Sequence, residues 1–271
     1  GYDTSGDGMP DVWKTAKGLT PATDDSNYVW PSGYIGCEEF LNEVDTGVQS
    51  DPIDLASLLV NLNPTSIDAT ATVEDDPIAE WTDVKSGFDA TEATTQPQLH
   101  IEASERQVDF VAANLDFLSI PSANVNFAPG TDEFTIIVKI GHSIDAATTN
   151  QGLVMKAQLN LTASCQYGIY TASGTLRASV GGVEIYNNTL DPVAEEIIAL
   201  VVRTGGADLY RDNVKVADNI AIGAVTTTND LIIGARYTGA SFNMNGSLSH
   251  VLIYNAELTP TELTNIYNEI N

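Results

Sequence analysis

Trp81-Thr82-Asp83-Val84-Lys85-Ser86-Gly87-Phe88-Asp89-Ala90-Thr91 is followed by Gln96-Pro97, then Arg106-Gln107-Val108-Asp109-Phe110, then Asp116-Phe117-Leu118-Ser119-Ile120-Pro121. Val108 and Phe110 alternate with polar neighbours, and so do Leu118 and Ile120. Successive side chains of a strand point to opposite faces, so this is the period of a half-buried strand. Ser86-Gly87 and Gln96-Pro97 punctuate the run as turns.

The same rhythm extends outward on both sides. Leu58 to Leu62 reads as a short strand that docks on the rest. Downstream, strands are expected at Phe134 to Ile140, Gly152 to Met155, Tyr167 to Tyr170 and Leu176 to Val180. Gly181-Gly182 turns the chain into Val183 to Tyr186. Glu195 to Arg203 reads as a long buried strand, followed by Ala207 to Arg211, an Asp212-Asn213 hairpin turn, and Val214 to Ala217. Many short strands separated by turn residues specify an antiparallel sandwich or barrel. Thr259-Pro260-Thr261-Glu262 is a capping box with proline at the first helical position. It predicts a last helix with Leu263, Ile266, Tyr267 and Ile270 on one face.

The Trp81–Pro121 run resembles the opening of laminin-G-like (concanavalin A-like) β-sandwich domains. Asp230-Leu231-Ile232-Ile233-Gly234, Phe242 to Leu248 and Val251 to Thr259 resemble that family's closing signature. The resemblance implies a mainly β fold, an antiparallel jelly roll over residues 57–271. Ser249-His250 stand where the family usually has Asp-Glu, so the role of those acids does not carry over.

The front of the chain is different. Asp3, Ser5, Asp7, the Met9 carbonyl and Asp11 fall at positions 1, 3, 5, 7 and 9 of an EF-hand-like loop, with Gly8 at the sharp turn. A hard cation wants six to eight oxygens, and alternate residues of a tight loop supply them. Gly18 is expected to end the helix that follows. Two positions depart from the pattern: Ser5 replaces an acid, and Lys14 replaces the bidentate glutamate of position 12. Gly33 to Asn42 looks like the second half of a paired loop, with Glu39 placed to complete the shell. The region resembles thrombospondin type-3-like calcium repeats and the C-terminal ends of secreted bacterial pectate lyases. It implies a small helical calcium-binding module at residues 1–44, then a polar linker at 45–56.

The 271 residues carry 11 basic and 37 acidic side chains, a net charge of −26. Such a chain repels nucleic acid and anionic membranes. No run of 18 apolar residues exists to span a bilayer. The chain opens abruptly at Gly1 inside a motif, which reads as a piece of a longer protein. Cys37 and Cys165 are too few for a metal cluster; they either form one disulfide or remain buried thiols.

Tests for familiar catalytic patterns are negative. There is no G-x-S-x-G elbow, no H-E-x-x-H, no phosphate loop and no E-x-D-x-x-E strand. His100, His142 and His250 read as surface or rim residues rather than bases. The expectation is therefore a chain that is not itself an enzyme. Carbohydrate sites use aromatic platforms beside carboxylates and amides, which makes Tyr170, Tyr186, Tyr210 and Tyr237 candidates, with Asp83 and Asp116 as rim candidates. The expected role is a calcium-stabilised module that binds a polysaccharide or cell-surface glycan, or mediates adhesion, outside the cell. It would form part of a larger polysaccharide-active protein. The alternatives are a host-recognition part of an assembly such as a phage fibre, which would self-associate, and a lyase or hydrolase with an unrecognised site.

Overall fold

The computed structural model describes residues 3–29, 35–36, 53, 55–102, 105–144, 150–158, 164–172, 175–185, 195–236 and 242–271. The chain divides into two compact units, Gly1–Leu55 and Ala56–Asn271.

In the first unit a short helix, α1 (Asp11–Ala16), follows the extended Pro10. Gly18 adopts φ +75°, and the Leu19 N–H returns to the Lys14 carbonyl at 2.8 Å. A left-handed glycine closing a helix in this way satisfies carbonyls left open by the last turn. Gly36 lies so close to the segment before it that an added Cβ would stand 2.2 Å from the Asp25 carbonyl oxygen. Glu39 and Cys37 lie outside the described residues, as does most of the expected linker.

The second unit is built from strands. In chain order they are β1 (Leu58–Leu62), β2 (Glu80–Trp81), β3 (Ala90–Thr91), β4 (Gln98–Glu102), β5 (Glu105–Phe110) and β6 (Leu118–Ile120). There follow β7 (Phe134–Ile144), β8 (Asn150–Ala157), β9 (Cys165–Ala172), β10 (Thr175–Val180) and β11 (Val183–Ile185). The last are β12 (Ile197–Arg203), β13 (Gly206–Arg211), β14 (Val214–Ile220), β15 (Leu231–Ile233) and β16 (Gly246–Tyr254), before the helix α2 (Pro260–Ile270). They form two antiparallel sheets. One runs β14-β13-β12-β7-β16-β5-β4, with β1 also pairing with β16; the other runs β11-β10-β9-β8-β15-β6-β3-β2.

The core lies between the sheets. Val108, Phe110, Phe134, Ile136, Val138, Leu200 and Val251 from the first sheet meet Leu118, Ile120, Val154, Tyr167, Ile169 and Ile233 from the second. Each such side chain contributes about 1.5–3 kcal/mol by leaving water. Trp81 is fully buried and donates its indole N–H to the Asn63 carbonyl at 2.9 Å. The run Ile197-Ile198-Ala199-Leu200-Val201-Val202 is apolar throughout because β12 is covered on both faces. Ile198, Leu200 and Val202 face the core. Ile197 and Ala199 lie against Leu263, Ile266 and Tyr267 of α2.

The hairpin turns form where their residues tolerate positive φ. Asp212 and Asn213 take φ 45° and 60°, the geometry of a type I′ turn. Gly181 takes φ +60°, and a Cβ there would stand 2.1 Å from the Gly223 backbone, so no other residue fits. The capping box of α2 is complete: the Glu262 N–H donates to Thr259 Oγ1, and the Thr259 N–H donates to Glu262 Oε2.

Candidate functional site

Three strand ends of the first sheet meet at one end of the sandwich. Phe134 opens β7 opposite Val202 near the end of β12, and Thr135 lies opposite Tyr254 at the end of β16. The segments leaving these ends enclose an open cleft of about 440 Å³ lined by Phe127, Thr131, Asp132, Glu133, Thr204 and Asn255. That volume falls in the usual range for small-molecule sites, about 300–1,000 Å³.

Phe127 is the apolar member of a lining that is otherwise polar, and its ring belongs to the buried core. Phe127 stacks on Phe134 with ring centroids 4.7 Å apart and planes 11° from parallel. Both rings tilt against Tyr167, at 5.8 and 4.9 Å. Such pairing fixes an aromatic ring beyond what its burial alone does. The wall residues are held by a turn, in which the Asp132 and Thr131 N–H groups donate to the Ala128 carbonyl. Asp132 Oδ2 accepts the Ala128 N–H at 2.7 Å, and the Thr204 hydroxyl reaches Glu133 Oε1 at 3.3 Å. Two carboxylates, one amide and two hydroxyls can hydrogen-bond a sugar's hydroxyl groups, while the buried Phe127 ring backs them from the core. None of these residues stands out in the sequence. Pro129-Gly130 and Thr204-Gly205-Gly206 are readable as turns, but only the β7–β12–β16 pairing brings them together.

The tyrosine candidates do not converge. Tyr170, on β9 of the second sheet, is fully buried in a small cluster with Met155, Ala157, Cys165 and Ala172, apart from the main core. Its hydroxyl donates to Glu184 Oε1 at 2.7 Å, and Arg177 meets the same oxygen at 2.8 Å. Tyr210, on β13 of the other sheet, lies beneath α2 with Leu263 and Ile266. Neither ring is free to stack on a ligand. Tyr186 and Tyr237 lie outside the described residues.

Asp83 is a turn anchor. Its Oδ1 accepts the N–H groups of Asn61 and Lys85, and its Oδ2 those of Ser86 and Phe88, at 2.8–3.0 Å. Asp116 is buried and accepts the Val111 N–H at 3.0 Å; burial pushes its carboxyl up from the usual range. His100 pairs with Glu74 at 2.6 Å on the surface. His250, within β16, is instead largely enclosed, and burial, reinforced by the Lys139 charge, pushes it down to about 3. The side chain of His142 is not among those described. Cys165 is a free, buried thiol that burial pushes up to about 12.

Among the described residues, the front-loop carboxylates Asp3, Asp7 and Asp11 form no group of three that could hold a metal ion, and each already has partners. Asp3 accepts the N–H groups of Gly6 and Gly8 at 2.8 and 2.9 Å. Asp11 accepts the Thr4 N–H and hydroxyl. Met9 is fully buried. Asp7 accepts the Met9 and Asp25 N–H groups at 3.1 and 3.0 Å, and the Lys14 ammonium at 2.6 Å. Burial alone would raise the Asp7 carboxyl; these hydrogen bonds outweigh it and hold it well below the usual carboxylate range. Lys14 points inward, with no solvent exposure. Its ammonium also contacts Ser5 Oγ and Asp25 Oδ2, both at 3.1 Å, and the Thr23 carbonyl. A divalent ion, which needs oxygens at about 2.3–2.6 Å, does not fit this donor set while the ammonium occupies it.

Two stacked antiparallel sheets with an open polar cleft at one end define a lectin-like sandwich. The chain belongs to the concanavalin A-like lectin/glucanases superfamily, whose laminin G-like model matches residues 114–264. That match lies wholly within the sandwich and does not bear on the thrombospondin type-3-like segment. No curated protein matches the chain. Among solved structures, the binding domain of Paraclostridial Mosquitocidal Protein 1 aligns with TM-score 0.59 at 16% identity, covering 78% of this chain and 52% of that one. The botulinum neurotoxin serotype D/C binding domain aligns with TM-score 0.54 at 15% identity, covering 79% and 52%. A Trypanosoma rangeli sialidase mutant displaying trans-sialidase activity aligns with TM-score 0.56 at 14% identity, covering 81% and 34%. This chain thus spans about a third to a half of the length of these structures, and at such identities the likeness is one of fold.

The expectation that the chain is not an enzyme is corrected by these likenesses. A part of each sialidase, about a third of its chain, shares this fold, so the lack of a familiar motif does not set the chain apart from enzymes. Motif tests read residues close in sequence, whereas a sandwich assembles sites from strands far apart in the chain.

Proposed function

We propose that the chain is a carbohydrate-binding module that holds its sugar in the cleft at the ends of β7, β12 and β16. The observation that carries this reading is the composition of the cleft: Thr131, Asp132, Glu133, Thr204 and Asn255 converge over a ring fixed in the core stack. Membership of a lectin and glucanase superfamily supports it, as does the likeness to two toxin binding domains. The glycan belongs to a polysaccharide or a cell surface, and the module works outside the cell as part of a larger polysaccharide-active or adhesive protein. The strong negative charge favours neutral glycans over acidic ones, because an anionic polymer is repelled.

The test is a glycan array followed by titration of the best ligand. Asp132→Asn, Glu133→Gln and Asn255→Ala are expected to weaken binding at least about tenfold each, or ~1.4 kcal/mol, while the chain stays folded. Binding unchanged by all three variants rules out the cleft. An array with no ligand rules out the function.

A further inference from the structure

We infer that Lys14 serves as a tethered cation in the front loop, so that this unit closes around its own ammonium and needs no divalent ion. The two departures from the calcium pattern then explain each other. Replacing an acid by Ser5 makes the loop more positive by one charge, and replacing the position-12 glutamate by Lys14 makes it more positive by two. Together they exceed the two charges of a calcium ion. The side chain of position 12 still points into the loop, as a glutamate ligand would, but it delivers the cation instead of a carboxylate.

The geometry matches this role. The ammonium has three protons, and three oxygens accept them: Asp7 Oδ2 at 2.6 Å, Ser5 Oγ at 3.1 Å and the Thr23 carbonyl. A fourth oxygen, Asp25 Oδ2, stands 3.1 Å away, buried and without a hydrogen bond of its own. Its charge adds to that of Asp7 around the Lys14 ammonium. The four oxygens come from two places in the chain, the loop and the 23–25 segment, so Lys14 ties both to α1, as a bound metal would tie its ligands. Neither Lys14 nor Asp7 has an exposed side chain. A second cation entering here would meet the Lys14 ammonium at contact distance and compete with it for the same oxygens.

The test is isothermal titration of the full chain, stripped with chelator, against calcium chloride. The native chain is expected to give no saturable binding up to millimolar calcium, and the same melting curve with calcium as with chelator. Lys14→Glu restores the position-12 carboxylate and removes the ammonium, and is expected to create a calcium site with a melting temperature that rises on calcium addition. Lys14→Met removes the charge with less change of shape, and covers the case in which Lys14→Glu fails to fold; it is expected to lower stability and to take up calcium weakly. Stoichiometric calcium binding by the native chain overturns the inference. So does a failure of both variants to bind calcium, because the loop centre would then not be a cation site.

Discussion

The buried ammonium of Lys139 donates to the Ile270 carbonyl at 2.7 Å. It joins the middle of β7 to the last turn of α2, where a helix leaves carbonyls unpaired and carries partial negative charge. The helix in turn covers Ile137, Ile197, Ala199 and Tyr210 on the outer face of the sheet. Lys139→Met is expected to cost about 1–3 kcal/mol, read as a lowered chemical-denaturation midpoint. Removing residues 259–271 is expected to expose that apolar face, seen as dye binding and self-association.

His250 gives a pH dependence with a definite sign. Burial, with the Lys139 charge second, lowers it from an ordinary 6.5 to about 3. The unfolded chain therefore takes up a proton at a pH where the folded chain does not. The stability involved is fully present above about pH 6.5 and is lost progressively as pH falls toward 3, at up to roughly 1.4 kcal/mol per pH unit. Melting followed between pH 7 and 4 is expected to show this loss, and His250→Gln to flatten it. A His250 ring resonance that titrates near 6.5 in the folded chain would contradict the assignment.

Asp83 holds four backbone N–H groups and ties β1 to the turn after β2. Asp83→Ala leaves those donors without their acceptor, and is expected to cost about 2–4 kcal/mol whether or not calcium is present. A loss that calcium alone restores would instead make Asp83 a metal ligand.

Asp7 is depressed by its hydrogen bonds in the folded state. Its contribution is present above the ordinary carboxylate pKa and is lost as pH falls below about 4. Unfolding of the front unit, followed through Trp13 fluorescence in a chain with the other two tryptophans replaced by phenylalanine, is expected to occur at higher pH in Asp7→Asn than in the native sequence. An identical acid profile in the two would show that the Lys14–Asp7 contact contributes nothing.

Phe127 is expected to affect both stability and binding. Phe127→Ala removes a ring from the Phe134–Tyr167 stack, at a cost of about 3–5 kcal/mol in denaturant midpoint. Phe127→Leu keeps most of the apolar volume but loses the stacked ring that backs the cleft, and is expected to lose glycan affinity with a smaller fall in stability. Equal affinity for the leucine variant would remove the ring from the binding model.

The sandwich was legible because its signals are local. Strand alternation at Val108-Asp109-Phe110, the Gly181-Gly182 turn and the Thr259–Glu262 capping box each arise within a few residues, where backbone sterics and side-chain period act. The roles of individual polar residues were less legible. Asp83 and Asp116 have the composition of ligands, but Asp83 accepts four backbone N–H groups and Asp116 is buried against the Val111 N–H. Tyr170 and Tyr210 read as platforms, yet one lies in a buried cluster on the second sheet and the other under α2.

The sequence by itself determined the element types, the two-sheet class, the terminal helix and the oxygen-rich loop at the front. Only the tertiary structure decided which strand ends meet, and so where Phe127, Glu133, Thr204 and Asn255 form a cleft. It also decided that the Lys14 side chain turns into the loop instead of into water. Secondary structure follows from interactions within a few residues, whereas a site depends on register between strands separated by tens of residues. Where a long charged side chain comes to rest depends on which buried oxygens the fold leaves within its reach.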